Sequence, residues 1–128
     1  MNGLKLCFVA LISSFFVACA TEPVNVMTPG QIAQHYEYSS ITPVEQIETR
    51  AAFSFKYVNS KAVILDYGWG YEYLVTLKYT CYNLRRDSGI KTNSSDRMTL
   101  NTSSSLVVTA SGAGEEYCQV DEIFKLEK

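Results

Sequence analysis

Residues 62–81 read AVILDYGWGYEYLVTLKYTC, and this stretch decides the fold. From Ala62 to Tyr67 the chain is almost continuously apolar, with β-branched members, as a deeply buried strand requires. Gly68-Trp69-Gly70 follows. Both glycines admit positive φ without a Cβ penalty, so this is the strongest turn signal in the chain. Beyond it the residues alternate. Tyr71, Tyr73, Val75, Leu77, Tyr79 and Cys81 fall on one face, and Glu72, Thr76, Lys78 and Thr80 on the other. That is the period of a half-buried strand, and it aims Cys81 at the core.

Working outward, Phe53, Phe55 and Tyr57 alternate with Ser54 and Lys56, which predicts a further half-buried strand ending at an Asn59-Ser60 turn. Upstream, Thr28-Pro29 has the form of a helix start, with Thr as cap and Pro at the first position. Ile32, Ala33 and Tyr36 then recur at helical spacing, predicting a short helix through about Tyr38. Ser39-Ser40 and Pro43 interrupt it, and a second helical turn or loop is expected from Pro43 to Thr49.

Downstream, residues 87–105 are rich in Ser, Thr and Asn and suit a long polar loop or a weak edge strand. Leu106 to Ala110 returns to strand character, and Gly112-Ala113-Gly114 marks a turn. Val120, Ile123, Phe124 and Leu126 close the chain at mixed spacing, which predicts a bend or helical turn near Asp121. The expected fold is mainly β (α+β): a small antiparallel sheet or sandwich-like domain of five to seven short strands over residues 28–128, with one short N-terminal helix.

The first residues read differently. Lys5 precedes a 13-residue uncharged stretch, Leu6 to Ala18, whose only polar members are Ser13 and Ser14. A membrane-spanning helix needs about 20 apolar residues, so this is a secretory signal rather than a span. Phe16-Val17-Ala18-Cys19 resembles a lipobox, which would make Cys19 the lipidated first residue of the mature protein. Phe16 departs from the Leu usual at that position. Ala18-Cys19-Ala20 also satisfies the small-x-small rule of ordinary signal peptidase, which would release a soluble chain starting at Thr21. Lipidation at Cys19 is the expectation, with residues 1–18 as signal peptide and 19–27 as tether.

Removal of residues 1–18 leaves ten basic and thirteen acidic residues, a net charge of −3. A nucleic-acid surface needs a basic stripe, and Arg85-Arg86, followed by Asp87, is better explained as a solvated turn. Of the four cysteines, Cys7 leaves with the signal and Cys19 takes the lipid. Cys81 and Cys118 remain, an even number suited to a disulfide in an oxidising compartment. Two buried thiols or a metal pair are the rivals. A single His and the wide Cys spacing speak against zinc.

The ingredients of catalysis are sparse. His35 is the only His and lies in the expected helix; no Gly-x-Ser-x-Gly elbow accompanies it. Glu115-Glu116 are adjacent in a Gly-rich turn, Asp121-Glu122 would point to opposite faces, and no phosphate-binding Gly-rich loop is present. Neither enzyme activity, cofactor nor metal is expected. The aromatic cluster about the Gly68/Gly70 turn is the remaining candidate. Trp69 and Tyr67 are the residues chosen for partner binding, because exposed rings on a hairpin stack on sugars or anchor a protein.

One resemblance adds to this. Tyr73-Leu74-Val75-Thr76-Leu77 leading into Cys81 and Leu84, with the ending Cys118-Gln119-Val120-Asp121-Glu122-Ile123, resembles a family of small proteobacterial lipoproteins grouped under a domain of unknown function. The likeness spans about half the chain. It implies export and a pairing of Cys81 with Cys118, and it implies no reaction. In such lipoproteins a residue other than Asp after the lipidated Cys, here Ala20, implies the outer membrane, facing the periplasm. The expectation is therefore a cell-envelope binding or structural module. Its partners would be the membrane, through the lipid, and an envelope protein or glycan. The alternative is a secreted soluble periplasmic enzyme or inhibitor module.

Overall fold

Ala62–Asp66 and Glu72–Leu77 pair antiparallel in register from Ala62↔Thr76 to Asp66↔Glu72, so the hairpin read from the sequence forms the middle of the structure. The computed structural model describes residues 27–48, 53–93 and 99–128. The expected signal peptide, Cys19 and the expected tether up to residue 26 lie outside the described residues. Among those described, the helix α1 (Pro29–His35) precedes nine strands. They are β1 (Ser40–Val44), β2 (Gln46–Glu48), β3 (Ser54–Asn59), β4 (Ala62–Asp66), β5 (Glu72–Leu77), β6 (Gly89–Asn93), β7 (Thr99–Asn101), β8 (Ser105–Ala110) and β9 (Gly114–Glu127). The mainly β fold with one short helix is as expected, with more and shorter strands than the five to seven anticipated. None of the described helices is long and apolar enough to cross a membrane.

One sheet runs β3-β4-β5-β9-β8-β6, with β1 also on β9, and β2 and β7 make a separate two-stranded sheet. The 14-residue β9 holds this together. Its first part pairs with β8, and residues 123–126 lie between β5 on one edge and β1 on the other.

Both faces of the central strands are buried. Val63, Leu65, Val75, Leu106, Val108 and Val120 fill the main core, closed over by Ile47 of β2 and Leu100 of β7. On the opposite face Ala62, Ile64, Leu74, Phe124 and Leu126 pack under Ile32 and Ala33 of α1 and under Tyr38. Each fully buried Leu, Ile or Val contributes roughly 1.5–3 kcal/mol, so α1 is held by its apolar stripe more than by its seven residues of helix. Its start is as expected: Thr28 Oγ1 accepts from Gln31 N (3.1 Å), and Gln31 Oε1 accepts from Thr28 N (2.9 Å). This reciprocal box supports the first turn.

Several expectations need correction. The helix stops at His35 rather than near Tyr38, because Glu37 takes a left-handed φ of 62°. Residues 43–48 hold the end of β1 and the whole of β2 instead of a helical turn. Pro43 is tolerated because β1 lies at an edge, where a missing N–H costs least. Of the two alternatives for the polar stretch 87–105 the edge strand holds, as β6, and the short β7 is added to it. Tyr71 and Tyr79 are not on a buried face; they are 53% and 71% exposed. Tyr71 precedes the first paired residue of β5 and Tyr79 follows the last, so neither inherits the strand's alternation.

The mixed spacing at the C-terminus has a different cause from the bend expected there. Thr76 pairs with Glu122 and Leu77 with Val120, leaving Asp121 as the extra residue of a bulge in a continuous strand. The bulge reverses side-chain parity. Cys118 and Val120 face the main core before it; Ile123 faces that core after it, while Phe124 and Leu126 turn to the helix side.

Candidate functional site

The β4–β5 turn is built by Asp66 and two glycines. Asp66 ends β4, and its Oδ1 accepts from Gly68 N (2.8 Å), the Asx arrangement that starts a turn. Tyr67 N donates to Tyr71 O and Tyr71 N to Gly68 O, both at 2.9 Å. Gly68, Trp69 and Gly70 have φ of 85°, 56° and 82°, so three successive residues are left-handed. Glycine adopts this freely, whereas for an L-residue with a bulky side chain it costs roughly 1–2 kcal/mol. A Cβ built on either glycine would meet nothing within 4 Å, so the turn stands clear of the domain. Trp69 is 96% exposed.

The two residues singled out on sequence are thus separated by the structure. Trp69 is at the surface. Tyr67 is half-buried against the main core, stacked on Phe53 (5.3 Å between centroids) and edge-on to Tyr73 (6.0 Å). Its hydroxyl is buried and, among the described residues, has no hydrogen-bond partner. Burial, with Tyr73 adding, pushes its pKa up to about 12. Tyr67 is accordingly a core residue supporting the turn rather than part of its exposed surface.

Tyr71, placed on the buried face from the sequence, and Lys125, which was not singled out, belong to this end of the hairpin with Trp69. The Tyr71 ring is exposed just after the turn and carries the Lys125 ammonium 5.3 Å from its centroid. On the opposite face of the same end, Tyr38 donates to Glu72, and Lys56 lies 3.8 Å from that carboxylate. Burial and the Glu72 carboxylate hold the Tyr38 hydroxyl protonated well above the usual tyrosine range. The Asp-x-Gly spacing of Asp66 was a readable signal for its turn role. The Lys125 contact was not, since it depends on the β5–β9 register.

Cys81 and Cys118 are joined in a disulfide, with Cα atoms 5.7 Å apart and both residues buried. Together with Glu116 they form the only cluster of three potential metal-ligand side chains among the described residues. The bond removes the thiolates a metal would need, and Glu116 is engaged by Asn83 N (2.7 Å). Glu116 is therefore not simply solvated, as expected on sequence, while Glu115 pairs with Lys91 on the surface. His35 is exposed at the end of α1, edge-on to Tyr36. An open groove of about 460 Å³ runs between the β1–β2 corner and the β7–β8 turn, with Glu45, Glu122 and Ser103 on its walls. It gathers no His, Cys or Lys beside those carboxylates.

A family model describing a family of unknown function (DUF6491) matches residues 3–128, nearly the whole chain. The chain belongs to that family. DUF6491 membership agrees with the resemblance drawn from the Tyr73–Leu77 and Cys118–Ile123 segments, as to a domain of unknown function. No curated protein and no solved structure matches the chain.

Proposed function

We propose that this DUF6491 chain is a lipid-anchored protein of the bacterial cell envelope, held at the outer membrane and facing the periplasm. In this reading it acts as a binding or structural module, not as a catalyst. The observation that carries the binding role is Trp69: an indole 96% exposed and fixed in left-handed backbone between two left-handed glycines. A stable fold that keeps an unfavourable backbone under an exposed aromatic is using it, because strain of this kind concentrates at ligand clamps and binding sites. Two further facts support the address. The family match begins at residue 3 and so takes in the apolar leader and Cys19. The Cys81–Cys118 bridge suits an oxidising compartment.

The test has two parts. Intact mass of the protein recovered from membranes should correspond to a chain beginning at Cys19 with added acyl groups, taking up two alkyl groups only after reduction. A lipid-free chain beginning at Thr21 would instead favour the soluble alternative. Photocrosslinking in cells from positions adjoining Trp69 should then capture a partner, and Trp69→Ala should lose it without unfolding the domain. Crosslinks unchanged in Trp69→Ala would remove the binding reading.

A further inference from the structure

We infer that the Trp69 turn is a carbohydrate-binding platform, presented on the side of the domain remote from the membrane tether. This rests on the turn being a binding surface, as proposed above, and names the chemistry of what it binds.

The orientation comes from where the chain enters. Met27, the first described residue, borders a groove of about 220 Å³ together with Ala62, Thr76, Leu77 and Asp121. Those residues mark the start of β4 and the end of β5. The Trp69 turn joins the opposite ends of the same two strands. At about 3.3 Å per residue, the tip lies on the order of 20 Å from the tether's entry. Only residues 20–26 separate Cys19 from Met27, a reach of at most about 28 Å even fully extended. The turn therefore lies at the end of the hairpin opposite the point where the chain enters the domain.

The chemistry of the tip favours a sugar over a protein. An aromatic that anchors a protein partner sits at the centre of a contiguous apolar patch that excludes water. At this turn, among the described residues, the one other exposed large apolar side chain is Tyr71. The neighbours of Trp69 in the turn are glycines bearing no side chain; this end of the hairpin also carries the Asp66 carboxylate, whose Oδ1 accepts from Gly68 N, and the Tyr71 ring with the Lys125 ammonium over it. One flat, exposed ring on a hairpin end that also carries a carboxylate, a phenol and an ammonium matches a pyranose. The apolar C–H face of the sugar stacks on the indole, and its rim hydroxyls donate to the carboxylate and accept from the ammonium. The balance of one carboxylate and one ammonium fits a polymer without strong net charge. The left-handed backbone sets the direction in which the Trp69 side chain leaves the turn.

Trp69 is the only tryptophan in the chain, which makes its fluorescence a reporter of this one site. The full-length, disulfide-bonded protein would be titrated with tetrasaccharides of β-1,4-linked N-acetylglucosamine and of glucose. A saturable blue shift of emission with either sugar is expected, weakened about tenfold in Tyr71→Ala and absent from calorimetric titration of Trp69→Ala. A blue shift with phospholipid vesicles and none with the sugars would overturn the inference, since the turn would then face a membrane. No response to either sugar, with Trp69-dependent crosslinks to a protein still formed in cells, would also overturn it while leaving the binding surface standing. Crosslinks indifferent to Trp69→Ala, together with silent fluorescence, would take down both readings.

Discussion

At the Leu77–Cys81 end of the β4–β5 hairpin the chain is tied on every side. Leu77 N donates to Lys61 O and Cys81 N to Ser60 O, both at 2.8 Å, and Cys81 is bonded to Cys118 above the buried Leu84. At the Asp66–Glu72 end the same two strands finish in a turn whose tip, Gly68 to Gly70, is open to solvent, in a backbone conformation its central residue disfavours. The first end, despite the Asp121 bulge and the exposed Tyr79, is held by backbone hydrogen bonds, the disulfide and the buried Leu77 and Leu84. The second breaks a local rule at Trp69, and such a break within an otherwise consistent fold is where function is to be sought. The difference also shows how the exception survives: the disulfide end and the pairing with β9 over-determine the strands, so a strained tip can be carried.

Four measurements would sharpen or break this contrast. The largest effect belongs to the tied end. Replacing both Cys81 and Cys118 by Ala opens a loop spanning 37 positions and should lower stability by about 4 kcal/mol. Urea unfolding reads this directly, and an unchanged midpoint would show that the two ends do not differ in how they are held. Leu74→Ala should cost about 3 kcal/mol, because Leu74 is wholly buried on the helix side of β5. A cost near zero would mean that the second core is not a core.

At the free end the sign reverses. Trp69→Gly should raise stability by about 1 kcal/mol through release of the left-handed strain, less the added freedom of the unfolded chain. It should at the same time abolish capture of any partner. A destabilised Trp69→Gly would assign the indole a structural role and erase the comparison. The smallest change is expected from Tyr67→Phe, within about 1 kcal/mol and on the stabilising side, since it deletes a buried hydroxyl without a partner. Its clearer signature is in alkali. Tyr67 is held protonated in the folded state, so its share of stability is complete below the unfolded tyrosine value near pH 10. That share is lost as pH rises through about 12. Tyr67→Phe should flatten this limb of a pH–stability curve, leaving the part contributed by Tyr38, which is shifted in the same direction.

Legibility in the sequence followed the range of the interactions. Local chemistry was readable. The two glycines announced the turn, Thr28-Pro29 the helix start, and the leftover pair of cysteines the bridge. Long-range pairing was not. Leu74 stood among polar neighbours on the face opposite Tyr73 and Val75, and nothing local shows that a helix forty residues upstream covers it. The Asp121 bulge appeared only as irregular spacing, because two successive parities in one strand look like no parity at all. Within the site, the exposure of Trp69 followed from its place between glycines. The burial of Tyr67 depended on Phe53 and Tyr73 lying on the same face, which only the β3-β4-β5 order supplies.

The position of β9 bears on how such a chain matures. All three strands that pair with it, β1, β5 and β8, precede it in the sequence. The Ser40–Val44 strand must wait for residues 123–127 before it finds its neighbour. Pairings this distant are slow to form, on the scale of about milliseconds to seconds, and a nascent chain lacking β9 has an unfinished sheet. For a protein exported as proposed, that delay is useful. A chain still lacking β9 would stay threadable while it is being moved, and Cys81 would meet Cys118 only once β9 has joined the sheet.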